Sequence, residues 1–167
     1  MTKIDPVTAD LRSMSPAKLE QAGRQSLREH LLAQASVAHQ KHAPLTAERL
    51  EALLRDPDCV RHPVRLVFEF GEMAMHQFAQ PDIDWRNTEE DGRVLYLRPL
   101  LQNRPDLVPL AVAYMLPVIN YGEIVTDEDC LLFGATLLGM LEHEYYQQVC
   151  ALADLCGAEP RLQQRGA

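Results

Sequence analysis

The stretch Pro63–Gln80, PVRLVFEFGEMAMHQFAQ, decides how the chain is read. Pro63 opens it and Gln80-Pro81 closes it, the two ends that proline gives a helix. At about 100° per residue, Arg65, Glu69, Glu72 and His76 fall within a sector of roughly 60°, while Leu66, Val67, Phe68, Phe70, Met73, Ala74, Met75 and Phe78 fill most of the remainder. The pattern predicts a helix that is apolar except for one charged stripe. The simpler account of the stripe is exposure, with Arg65–Glu69 and Glu72–His76 as i,i+4 pairs worth a few tenths of about 1 kcal/mol each. The sharper account turns it inward. Glu72 and His76 then stand one above the other and share a metal ion, with Glu69 one turn earlier as a further oxygen ligand.

A fourth ligand is sought on the last helix. The run from Thr126 to Cys156 predicts one uninterrupted helix of about 28 residues, roughly 42 Å long. Thr126 supplies the N-cap, Asp127, Glu128 and Asp129 supply an acidic first turn, and Gly157 supplies the stop. On such a helix Glu142 shares a side with Leu131, Ala135, Leu138, Tyr146 and Val149. A carboxylate in an apolar face must be paired, protonated or metal-bound, with Arg65 as the non-metal partner. His143 lies instead on a solvated strip with Asp129, Thr136, Gln147 and Asp154. The candidate metal ligands are therefore Glu69, Glu72, His76 and Glu142, suited to a divalent or iron-type ion. The Glu-x-x-His pairs that mark ferritin-like di-metal bundles on two helices do not occur.

Outward from these two stretches the chain reads as further helices. Residues 1–14 form a loose arm, and Ser15-Pro16 starts a helix that ends near His42, with Leu19, Ala22, Leu27 and Leu31 along one stripe. Leu45 and Leu50 bracket Thr46 as a hydrophobic staple for a short helix from Ala47 to Arg55, which Asp56-Pro57 ends. The acidic stretch Asp82–Gly92 is an exposed loop anchored by Trp85. Residues 93–101 have strand-like residue types at Arg93–Arg98, but no second strand is evident to pair with them, so they are read as helix. An apolar segment from Pro105 to Ile119 follows, kinked at Pro117 and stopped at Gly122, and it folds back on the last helix as an antiparallel hairpin.

The fold expected is all-α, a single-domain antiparallel helical bundle of five to six helices over residues 15–157, with a tail from 158 to 167. Sparse Val and Ile favour this class, and 167 residues bury a core without disulfides or metal. A net charge of −8 argues against nucleic acid and anionic membranes as partners. Cys59, Cys130, Cys150 and Cys156 form no Cys-x-x-Cys pair and follow no export signal, which suits reduced thiols in a cytoplasm. No phosphate loop, nucleophile elbow or His-Glu-x-x-His pair is present. The function expected is that of a non-catalytic cytoplasmic binding or interaction protein. It would form a homodimer through its last two helices, because residues 107–141 are apolar on too many sides for one small domain to cover. The alternative is a helical metalloprotein or metal-dependent enzyme, and a third reading places a small apolar ligand among Phe68, Met73, Met75 and Met140.

Overall fold

A computed structural model describes residues 15–82 and 92–159. The expected arm at 1–14, Trp85 and most of the tail lie outside the described residues. The fold is α+β, not all-α: among the described residues five helices accompany a three-stranded mixed sheet. Helix α1 spans Pro16–His42, α2 spans Leu50–Leu54 after a 3-10 turn at Ala47–Arg49, α3 spans Val108–Tyr121, α4 spans Asp127–Leu138 and α5 spans Glu142–Gly157. The strands are β1 (Val64–Phe68), β2 (Ala79–Pro81) and β3 (Arg93–Leu97).

The helix expected over 63–80 does not form, and the physical reason is visible in its first half. Val64, Leu66 and Phe68 alternate with Arg65, Val67 and Glu69, a period of two in β-branched and aromatic residues. Val64 is buried and Leu66 and Phe68 pack on the core, whereas Arg65 and Glu69 are exposed. Residues 93–97 are likewise a strand rather than helix. Their partners are the two segments that the helical wheel had absorbed: β3 lies in the middle, parallel to β1 and antiparallel to β2. Leu66 and Pro81 flank Leu95, and Phe68 and Ala79 flank Leu97, which makes one inward row across the sheet.

The last helix is also corrected. Gly139 adopts a left-handed conformation, φ +69°, its N–H reaches Thr136 O and the Met140 N–H reaches Ala135 O. This Schellman arrangement ends α4, and α5 starts anew at Glu142. The Thr126 cap is present as a full capping box with Asp129.

The inward row of the sheet, α3 and the pair α4–α5 stack in succession, with α1 on the outer side of α4. All of α3 except Tyr114, Val118 and Tyr121 is buried. The apolar surface of α3 is thus covered within the chain, by β2 on one side and α4 on the other. Helix α5 comes close to α4 at Gly134, where a Cβ would lie 2.4 Å from the Tyr145 ring. The Tyr145 hydroxyl then donates to Leu110 O on α3 at 2.8 Å, tying three helices together.

Candidate functional site

Between β2, α3 and α5 lies a cleft of about 1050 Å³. Its apolar wall is built by Phe78 from β2's approach, Met115, Val118 and Ile119 from one side of α3, and Val149 and Ala153 from α5. The i, i+3, i+4 spacing on both helices turns these side chains to a common face.

The polar part of the cleft gathers at the C-terminal end of α3. Arg61 donates to Asn120 O at 3.2 Å and Arg93 donates to Ile119 O at 3.1 Å. Two guanidiniums therefore converge on adjacent carbonyls at the negative end of the helix dipole. Arg61 also lies over the Tyr121 ring, 5.3 Å from its centroid, a cation–π geometry. Asn120 fixes this corner: its side chain accepts from Arg61 N and donates to Cys59 O. Among the described residues neither Arg61 nor Arg93 has a carboxylate within 4.0 Å, and Arg93 Nε is buried without a hydrogen-bond partner. Three carboxylates also line the cleft: Asp127 accepts from the Tyr114 hydroxyl at 2.7 Å, Glu123 stands exposed in the short turn after α3, and Asp82 stands half-buried directly after β2. Burial, then the bond to Asp127, pushes the Tyr114 phenol well up, so that it remains a neutral donor.

Of the four residues expected as metal ligands, only His76 reaches this cleft. It packs on the backbone of Gly157, where a Cβ would lie 2.5 Å from its Nδ1. Glu69 and Glu72 are exposed, one at the end of β1 and one in the turn that follows. Glu142 is exposed as well, because the break at Gly139 makes it the first residue of α5, where its charge suits the dipole. Without a helix over 63–80, no common face aligns Glu69, Glu72 and His76.

Among the described residues, His42, Asp56 and Cys59 are the group of three whose ligating atoms lie within 4.8 Å of one another. Asp56 is already served there. Lys41 Nζ and His42 Nε2 each lie 2.8 Å from its Oδ2, and the Asp58 N–H reaches Oδ1 at 3.0 Å. These contacts, Lys41 first, hold the Asp56 carboxyl well below the usual carboxylate range. Burial, followed by the neighbouring Asp56, pushes the Cys59 thiol up to about 12, which makes it an inert thiol at neutral pH. The group is a hydrogen-bonded latch between the end of α1 and the turn after α2.

Sequence reasoning missed Arg61, Arg93 and Tyr114 because they lie on three separate elements. The one available signal was Asn120, a polar side chain closing an otherwise apolar helix. Comparison with protein-family models, with curated proteins and with solved structures returns no match.

Proposed function

We propose that the chain is a non-catalytic binding protein whose cleft takes an amphipathic organic anion. The observation that carries this reading is the pairing of an apolar wall with two guanidiniums that lack a carboxylate partner among the described residues, in a protein of net charge −8. The volume matches an ordinary small-molecule site, and a few convergent donors beside apolar walls are what such sites use to orient a ligand. An anionic head at Arg61 and Arg93 leaves the tail against Met115, Ile119 and Val149. A charge-assisted bond to a guanidinium contributes about 1.5–3 kcal/mol, enough to fix the sign of the head group.

Dodecanoate below its micelle threshold is the probe, titrated calorimetrically, with dodecyltrimethylammonium as the chain of opposite charge. The expected result is saturable binding of dodecanoate alone, weakened by about tenfold or more in Arg61→Gln, the equivalent of about 1.4 kcal/mol. An Ala153→Phe variant, which fills the apolar wall, abolishes it. Equal binding of both probes, or of neither, overturns the reading.

A further inference from the structure

The outer side of β1 has no strand beside it among the described residues. An open groove of about 500 Å³ follows that edge, with Leu50 and Leu54 of α2 on one wall and Val64 and Leu66 on the other. The strand itself, VRLVF, contains no proline and a single charge. Native edges are normally shortened, bulged or heavily charged to prevent pairing with another chain, and this one is left available.

Which way its backbone groups point follows from one bond. Pro63 O accepts from Arg93 N, toward β3. Because N–H and C=O directions alternate along a strand, Val64, Leu66 and Phe68 turn theirs to the open edge. On the outer face of the strand stand Arg65 and Val67, and Glu69 follows in the bend that ends β1, its N–H turned back to Val67 O at 3.1 Å. Arg65 and Glu69 are exposed, Val67 is half-buried, and neither charged side chain has an ion-pair partner within the described chain.

We propose that β1 pairs antiparallel with β1 of a second copy about a two-fold axis at Val67, joining the two sheets into one of six strands. In that register Leu66 and Phe68 of one copy exchange main-chain hydrogen bonds with Phe68 and Leu66 of the other. Val67 meets its own counterpart as a non-hydrogen-bonded pair, the type in which side chains approach most closely. Arg65 then faces the bend that carries Glu69 of the second copy, within reach of its long side chain, twice by symmetry. Moving the axis by one residue to Leu66 sets Arg65 against Val67 and loses both charge pairs, so the charges select the register as well as the occupant. The groove beside α2 leaves room for the incoming strand. A five-residue strand pair is a small interface, so the dimer dissociates on dilution, with a Kd on the order of micromolar.

The test is sedimentation velocity of the full chain between about 1 and 200 µM, a range that brackets a micromolar Kd. Arg65→Glu, Glu69→Arg and the double exchange Arg65→Glu/Glu69→Arg are run alongside, each checked for helical circular dichroism. The wild type shifts from monomer to dimer, each single variant raises Kd at least tenfold, and the double exchange returns it to within about threefold of wild type. Both single changes are on exposed side chains, and either one suffices should the other fail to fold. A chain that stays monomeric at the top of the range overturns the proposal, including the case in which residues 1–14 or 83–91 of the same chain occupy the edge. A dimer indifferent to both charges overturns it too, since it then uses another surface, such as exposed Leu141, Tyr146 and Leu155 on and beside α5.

Discussion

Arg98, immediately after β3, is 1 % exposed, and the shape of the segment between β1 and β2 depends on it. Its guanidinium donates to Ala74 O, Met75 O and Gln77 O, and it lies over the Phe70 ring at 5.3 Å. The segment from Glu69 to Gln77 has no regular structure of its own, so this one side chain satisfies carbonyls that a helix or strand would otherwise have paired. Glu159 approaches from beyond α5, 3.9 Å from Nη1, and supplies the countercharge. Arg98→Met keeps the stem and removes the donors. The expected cost is about 3 kcal/mol or more, from the loss of three hydrogen bonds made by a buried guanidinium and from Glu159 left without its cation, read as a lower urea midpoint at pH 7. Because β2 is held by this anchor, the same variant loosens the β2 wall of the cleft and weakens dodecanoate binding. Nothing in the sequence pattern singles Arg98 out: it stands beside Pro99 as an ordinary charged residue at a strand end, and its burial exists only once the 69–78 segment has folded over it.

At the scale of elements, the join between α4 and α5 carries the clearest prediction. Ala is a better helix former than Gly by about 1 kcal/mol, so propensity alone predicts that Gly134→Ala stabilises α4. The Tyr145 ring stands where the new methyl would go, and it is fully buried with its hydroxyl committed to Leu110 O. Gly134→Ala therefore destabilises by about 1–3 kcal/mol, measured by urea unfolding, with the largest chemical-shift changes on Tyr145 and Leu110. The caps of α1 and α4 were legible from Ser15-Pro16 and Thr126-Asp-Glu-Asp, because capping is decided within one turn of chain. The sheet was not legible. A helical wheel over 63–80 removes the strand that pairs with β3, so one misplaced element conceals the other. Over five residues, Val64–Phe68 satisfies both a period of two and an apolar wheel. Only the neighbour at β3 breaks the tie. The candidate ligands followed the same fate, since Glu69, Glu72 and His76 share a face only on a helix.

For the molecule as a whole, α1 packs on α4 through buried Leu31, Ala35 and Ala38 and is pinned at two points by charge. Arg28 reaches Asp129 of the α4 capping box at 3.1 Å, and Lys41 and His42 reach Asp56 at the other end of the helix. Burial would raise the Asp129 carboxyl, but the Thr126 bonds and Arg28 outweigh it and hold it below its ordinary value, as Lys41 and His42 do for Asp56. A carboxylate whose folded pKa is depressed stabilises the native state above its unfolded pKa, about 4, and loses that contribution as pH falls toward the folded value. Stability is therefore retained at pH 5 and falls steeply between about pH 4 and pH 2. Asp56→Asn lowers the urea midpoint at pH 7 and flattens this acid limb, and Asp129→Asn does the same. A limb of unchanged steepness in both variants would place the acid sensitivity elsewhere.

The parallel pairing of β1 with β3 also sets an order of events during synthesis. Helices α3, α4 and α5 meet across the short turns at Gly122–Val125 and Gly139–Leu141, contacts that close quickly. Val64, by contrast, waits for Arg93, and β2 has no partner either until β3 arrives to lie between them. As the chain leaves the ribosome, its most apolar strand thus passes through a period with both edges open, and it is in that window, rather than in the finished fold, that the protein is most exposed to aggregation.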